Sequence, residues 1–211
     1  LMLNVERMLA GGVQCKLTVI KMKGWKRKMD YTATGLQWIP SSPHIPHPHS
    51  AFFYPVSGIL GELGYMSIGV GYTIPFQMFA ASWAEADKLA DALNELHVPG
   101  VIFRPIYLQP FYSVGKGEQL QGVQVHITDY AKAPLSPIQF LVMQEVARLW
   151  PDRAVFDHAD KGRFNMFDKV CGSRQIRERF SQNNRWEDIR PYWEKDVESF
   201  RQLSKKYYLY R

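Results

Sequence analysis

The spacing of apolar positions changes along the chain, and the clearest helical spacing follows residue 81. Residues 82–96 place apolar side chains three and four positions apart, as on one face of a helix, and Pro99 follows them. We expect this helix to begin at Ser82, because Ser82 and Glu85 fit a capping box. A second helix is predicted over residues 137–149, where a proline stands at the first helical position.

Strict alternation of apolar and polar positions predicts strands. Residues 122–128 alternate most regularly, and residues 16–22 alternate with several β-branched side chains. Residues 101–107 also indicate a strand, and Pro105 within it favours an edge position. Helical spacing returns at residues 174–180 and, with an apolar side of Trp, Phe and Leu, at residues 187–203.

Residues 35–79 fit none of these periods. The segment is rich in proline, glycine and aromatic residues, and Glu62 is its one fully charged side chain. Glycine and proline fix unusual backbone paths, and loops built from them often carry binding sites. A solitary carboxylate among aromatic rings favours a sugar or peptide cleft over a phosphate site.

The positive charge of the chain is local. The formal net charge is +6, and the segment from Lys16 to Lys28 contains six basic residues and no acidic one. This segment suits an anionic partner such as a polymer, a carboxylate sugar or a nucleic acid, although a solvated surface is the simpler explanation.

Three histidines, His44, His47 and His49, raise the possibility of a metal site, since imidazole is a common zinc ligand. Prolines stiffen the tract and no acidic or thiol residue stands close by in sequence, so we expect no metal. Several closely spaced glycines follow, including Gly69 and Gly71, but no phosphate-binding motif surrounds them. We interpret these glycines as tight turns or close backbone approaches, and no cofactor is predicted.

Glu62 is the candidate catalytic residue. A carboxyl group in an apolar pocket suits a general acid, whereas the alternative is a carboxylate held by amides of its own loop or by an arginine. Five aromatic residues are candidate sugar platforms or simply core: Trp25, Trp38, Tyr54, Tyr72 and Phe76. Lys26 and Arg27 are candidate ligands for an anionic group.

Two cysteines, Cys15 and Cys171, are too few for a disulfide scaffold, although one bridge between them is possible. No apolar run is long enough to span a membrane, and the first residues do not resemble a signal peptide. Because the chain begins inside a helical pattern at residues 1–9, we expect the natural protein to extend before Leu1.

Several stretches, taken together, resemble one protein family. They are LTVIKMKGWKR, TGLQWIPSSPHIPHPHSAFFYPVSGILGELGYMSIGVGYTIPF, ADALNELHVPGVIFRPIYLQPFY, GVQVHITD and FRQLSKKYYLYR. The chain is similar, over nearly all of its length, to the C-terminal half of the exo-β-N-acetylmuramidase (NamZ-type) family, formerly a domain of unknown function. The resemblance implies an α/β fold: residues 1–81 as the end of a Rossmann-like parallel domain that lines a cleft, and residues 82–211 as a smaller auxiliary α/β domain.

The same resemblance implies a glycoside hydrolase of peptidoglycan turnover in the bacterial cell envelope. It would release N-acetylmuramic acid from the non-reducing end of cell-wall fragments. The muramyl carboxylate would meet Lys26 and Arg27, and Glu62 would be a second carboxylate or bind hydroxyl groups. The implied substrate-binding residues are Trp25, Lys26, Arg27, Trp38, His44, Tyr54, Tyr72 and Phe76.

Two alternatives stay open at this point. The chain could be a non-catalytic carbohydrate-binding or interaction domain derived from that family, or a metal-dependent hydrolase that uses the histidines. The resemblance implies that the principal catalytic glutamate of the family lies in a portion before Leu1. It implies no nucleic-acid partner, and the oligomeric state is open.

Overall fold

The computed structural model describes residues 18–210 and divides the chain into two compact units. The larger unit is Ile39–Tyr192, and the smaller one joins Leu1–Trp38 to Trp193–Arg211. The boundary expected at residue 81 falls inside the larger unit, at the end of a strand of its sheet.

The larger unit contains a three-stranded antiparallel sheet. Its strands are β1 (Met78–Ala81), β2 (Val101–Leu108) and β3 (Leu120–Ile127). The order is β1-β3-β2, so β3 is central and β2 lies at an edge. Both predicted strands of this region are therefore confirmed, including the edge position that a proline within β2 indicated.

The sheet differs from the parallel arrangement expected for residues 1–81. Within that range the one described strand, β1, pairs with β3 in the antiparallel sense. Residues 18–22 belong to no strand, and the start of the strand predicted at residues 16–22 lies outside the described residues together with the helix predicted at residues 1–9. The chain is thus a mixed α/β protein with a small antiparallel sheet.

Eight α-helices lie within residues 18–210. They are α1 (Ser50–Gly61), α2 (Ala86–Glu95), α3 (Pro137–Leu149), α4 (Val155–His158), α5 (Phe164–Cys171), α6 (Arg174–Asn183), α7 (Trp186–Glu194) and α8 (Val197–Ser204). Helices α2, α3 and α6 were predicted. The single helix expected over residues 187–203 is two helices, α7 and α8. The backbone leaves the helical conformation at Asp196, the N-cap residue of α8, whose side chain makes no capping hydrogen bond.

The capping box predicted for α2 is wrong. The helix begins at Ala86, and neither Ser82 nor Glu85 caps it with a side chain. The backbone N–H of Ala86 instead donates to Oε1 of Gln121 on β3, at 3.2 Å. A side-chain amide from the sheet therefore accepts from one N–H of the first turn of α2. A local sequence motif does not reveal such a long-range partner.

Aromatic side chains hold the helices of the larger unit together. Phe140 on α3 is fully buried, and its ring centroid lies 5.6 Å from that of Phe180 on α6 and 5.7 Å from that of Trp186 on α7. Phe167 on α5 meets the same ring edge-on at 6.5 Å. Such contacts add to the area that these large rings bury, so this cluster is the centre of the helical layer.

The smaller unit is built from residues 18–38 and 193–210. The ring of Trp25 packs edge-on against Tyr210 at 4.9 Å, and Tyr31 packs edge-on against Trp38 at 4.8 Å. The Arg27 guanidinium lies 3.6 Å from the centroid of the Tyr208 ring. Among the described helices, none has the length and apolar character needed to cross a bilayer.

Candidate active site

One face of α1 forms the floor of a cavity. Three positions share this face because they are four and three residues apart: Tyr54, Gly58 and Gly61. Glu62 follows Gly61 directly, where α1 ends. The opposite side, with Phe53, Val56 and Leu60, is buried in the core. The cavity measures about 240 Å³, and its lining residues are His44, Tyr54, Gly58, Gly61, Glu62, Met66, Ile68, Val70, Phe76, Ser113 and Val114.

This volume limits what can bind. Pockets for drug-sized ligands measure about 300–1,000 Å³. A cavity of about 240 Å³ lies below this range, so it can receive one sugar residue or one substituent but not an oligosaccharide. Gly58 and Gly61 add no side chains to this floor, and the Ile68 side chain packs against Gly61.

Glu62 is half-buried at the C-terminal end of α1, where its backbone N–H donates to the Ile59 carbonyl at 3.2 Å. Across the described residues 18–210, no hydrogen bond or ion pair reaches its carboxylate. The C-terminus of a helix carries partial negative charge, which repels a carboxylate placed there. Because neither an amide nor an arginine holds this group, stability does not account for its position.

His44 is the second polar group of the cavity. Its Nδ1 lies 3.0 Å from the hydroxyl of Tyr112, and the two rings are 5.8 Å apart. The imidazole is half-buried, whereas Tyr112 lies on an exposed loop after β2. With Nδ1 engaged by Tyr112, Nε2 is the ring nitrogen left for a ligand.

Phe76 and Tyr54 form the aromatic wall. Their rings meet edge-on at 4.9 Å, and 53% of Tyr54 is exposed to solvent. Phe76 has a φ of 68°, a left-handed conformation that is rare for a bulky residue. Its carbonyl accepts a hydrogen bond from the buried Ser57 hydroxyl at 2.9 Å, and its N–H donates to the Ile68 carbonyl at 2.7 Å.

Ser113, on the other side of the cavity, has the same unusual φ of 68°. Strained backbone of this kind clusters at functional sites. Two such residues on one cavity therefore favour a binding role for it.

The loop carrying Val70 confirms the interpretation of its glycines. A Cβ on Gly71 would lie 1.9 Å from the Tyr112 carbonyl oxygen, and one on Gly69 would lie 2.4 Å from that of Ile74. Both glycines have positive φ angles. The segment is a close backbone approach that brings Val70 and the Ser113 loop to the same cavity.

Sequence comparison agrees with the motifs quoted above. The family model described as "Exo-beta-N-acetylmuramidase NamZ, C-terminal" matches residues 52–210, and the corresponding N-terminal model matches residues 1–49. The chain belongs to the NamZ family. The predicted family resemblance is thereby confirmed.

Two relatives of this NamZ chain are informative. The peptidoglycan β-N-acetylmuramidase NamZ of Bacillus subtilis (strain 168) is 35% identical over 198 residues, which are 94% of this chain and 46% of that protein. A crystal structure of a DUF1343 family protein from Bacteroides fragilis NCTC 9343 is 78% identical, with a TM-score of 0.96, and its match covers this whole chain and 54% of that one. The chain spans about half the length of both relatives.

The NamZ chain brings together four of the predicted site residues: His44, Tyr54, Glu62 and Phe76. Tyr72 is not among the residues that line the cavity. It packs against a small apolar cluster of the sheet, and its ring centroid lies 6.2 Å from that of Phe111.

Trp25, Lys26, Arg27 and Trp38 lie in the smaller unit. There Trp25 lines a separate cavity of about 480 Å³ with Lys23 and mainly apolar neighbours. Lys26 and Arg27 are exposed, and Trp38 is half-buried against Tyr31.

His47 and His49 are exposed and do not join His44 in the cavity. Within the part of the chain that the structure describes, no three His, Cys, Asp or Glu side chains are placed to hold a metal ion.

Tyr112, Ser113 and Val114 were missed from the sequence. They lie far along the chain from α1, and nothing in their spacing points to the cavity. The nearby Gly115 and Gly117 indicated only a turn.

Proposed function

We propose that the protein carrying this chain is a glycosidase of peptidoglycan turnover that releases N-acetylmuramic acid from the non-reducing end of cell-wall fragments. Membership of the NamZ family and the 35% identical peptidoglycan β-N-acetylmuramidase of Bacillus subtilis support a hydrolase acting on this polymer. The observation that carries the proposal is Glu62: a half-buried carboxylate without a partner among residues 18–210, in a small cavity walled by aromatic rings.

Hydrolysis of a glycosidic bond ordinarily uses two carboxyl groups, one on each side of the scissile bond. Glu62 is the one acidic side chain among the residues that line the cavity. We assign it to the reacting end of the sugar and assign the second group to a part of the protein outside this cavity. The same proposal has two further parts. The residues before α1 complete a Rossmann-like domain, and the protein works in the cell envelope.

Within the smaller unit, Arg27 and Lys26 are proposed to bind a carboxylate of the cell-wall fragment. The Arg27 guanidinium carbon lies 3.6 Å from the centroid of the Tyr208 ring, and this cation–π contact helps to hold the group in place. Its N–H edge can then form the two parallel hydrogen bonds that a carboxylate accepts from arginine. Trp25 and Trp38 would supply apolar surface for a sugar ring.

Release of N-acetylmuramic acid from a synthetic muramyl glycoside tests the proposal. Glu62→Gln keeps the shape of the side chain and removes its charge and its acid–base capacity, so we expect turnover to fall by more than about tenfold, since general acid–base groups contribute about 100-fold or more. Glu95→Gln, an exposed position on α2, is the control and should keep full activity. Equal turnover by the two variants would reject a catalytic role for Glu62.

A second function, sugar binding without catalysis, is favoured by the single carboxylate of the cavity. It predicts that N-acetylmuramic acid binds in calorimetry while no sugar is released from the glycoside. Binding that is unchanged in Glu62→Gln, with no release by the wild-type protein, would support this alternative and contradict the first.

A further inference from the structure

We propose that the α1 cavity is the subsite for the 2-acetamido group of the sugar, which rests on the function proposed above. The cavity offers one carboxylate, one imidazole and an apolar remainder. An acetamido group consists of an N–H donor, a carbonyl acceptor and a methyl group. The two sets are complementary, and a cavity of about 240 Å³ has room for such a group.

The donor of the pair comes from His44. The Tyr112 hydroxyl lies 3.0 Å from Nδ1, and we assign the hydroxyl as the donor, because a phenol is a good donor and a neutral imidazole has one acceptor nitrogen. This bond leaves the imidazole proton on Nε2. Nε2–H can then donate to the acetamido carbonyl, and Tyr112 is a positioning residue that acts through His44.

The acceptor of the pair is Glu62. Its carboxylate has no other partner in the described chain, and it accepts the acetamido N–H. When the acetamido group is bound, its N–H pairs with the Glu62 carboxylate and its carbonyl pairs with the His44 imidazole. Neither protein group is then left without a partner. An amine in its place would leave His44 without an acceptor, which is the kind of mismatch that gives strong discrimination.

The methyl group is received by apolar side chains. Three of these side chains line the cavity and are each at most 8% exposed to solvent: Met66, Ile68 and Phe76. Gly58 lies among them on α1, and its missing side chain provides room. A Cβ at this position would lie 3.6 Å from the Tyr54 ring, an ordinary contact, so Gly58→Ala can fold while it narrows the cavity.

Calorimetry on the protein that carries this chain tests the assignment with two sugars: N-acetylmuramic acid and its analogue with a hydroxyl group in place of the acetamido group. We expect Gly58→Ala to weaken the binding of N-acetylmuramic acid by about tenfold, which is the loss of affinity that one misplaced methyl group typically causes. Binding of the hydroxyl analogue should not change. His44→Ala should show the same selectivity, with His47→Ala, exposed in the same tract, as the control.

Tyr112→Phe should raise KM for a muramyl glycoside by about threefold to tenfold without an equal fall in kcat, because it loosens His44 alone. Equal losses for both sugars, no loss for either, or no binding by the wild-type protein would overturn the assignment. Sugar release is measured in parallel. If the variants lose affinity only for the acetamido sugar and the protein releases no sugar, the subsite assignment stands and the hydrolase proposal is rejected. If the protein releases sugar at a rate that Gly58→Ala does not change, the hydrolase proposal stands and the subsite assignment is rejected.

Discussion

At the scale of single residues, Gln139 shows how one buried side chain supports the site. It is fully buried on α3, its Nε2 donates to the Pro55 carbonyl at 2.9 Å, and its Oε1 accepts from the Leu60 N–H at 2.9 Å. Gln139→Leu keeps the volume but removes two hydrogen bonds to the backbone of α1. We expect the free energy of unfolding in urea to fall by about 1–3 kcal/mol.

The matched control for this prediction is Gln182→Leu, an exposed position on α6. Its free energy of unfolding should change by no more than about 0.5 kcal/mol. If the two variants unfold at the same urea concentration, the amide bridge does not stabilise α1.

Cys171 is a half-buried free thiol, and burial is the main reason that its pKa is raised to about 12. Thiolate, the reactive form, is scarce at pH 8 when the pKa is so high. In a Cys15→Ser background we expect a disulfide reagent to modify Cys171 at least about 100-fold more slowly in the folded protein than in urea, since the thiolate fraction sets the rate. Similar rates would contradict this.

The same shift has a consequence for stability. Above pH 9 the thiol of the unfolded chain ionises while that of the folded chain stays protonated up to about pH 12. The unfolded state therefore binds fewer protons in this range, and stability falls as the pH rises through it.

Individual residues of the site were predictable to different degrees. Glu62 stood out because it is the one charged side chain in a segment rich in aromatic residues. The partnership of His44 with Tyr112 was not predictable, because the two residues are 68 positions apart and meet through a loop whose path depends on the whole sheet. Tyr72 looked equivalent to Tyr54 in sequence, but it follows a turn that directs it to the sheet.

At the scale of elements, α1 is the main surprise. Glycine and proline disfavour helix, and both occur within residues 50–61. Packing compensates, since one side of α1 is buried against α3 and Gln139 binds two of its backbone groups. Tertiary contacts therefore outweigh local propensity here, and the two glycines that weaken the helix also line the cavity.

The edge strand β2 is protected by a side chain of α2. Asn94 donates to the Phe103 carbonyl at 2.8 Å and accepts from the Phe103 N–H at 2.9 Å, as a neighbouring strand would. Asn94→Ala should lower the free energy of unfolding by about 1–3 kcal/mol, because both backbone groups lose their partner. Asp91→Ala, exposed on the same helix, is the control, and an equal change in both would contradict this role.

At the scale of the whole molecule, the sequence predicted an α/β protein and its family but not the division into units. Chain order suggested two consecutive domains, whereas residues 18–38 group with residues 193–210. Such a grouping depends on contacts between the two ends of the chain, and periodicity carries no information about them. The family, by contrast, was recognisable because its motifs combine residues whose order along the chain is itself distinctive.

The central claim is that the α1 cavity receives the acetamido group of a terminal muramyl sugar beside Glu62. A crystal structure of the protein that carries this chain, grown with N-acetylmuramic acid, measures this most directly. We predict density for the acetamido group between Glu62 and His44, with its methyl group against Phe76. A sugar bound elsewhere while this cavity holds only water would contradict the account.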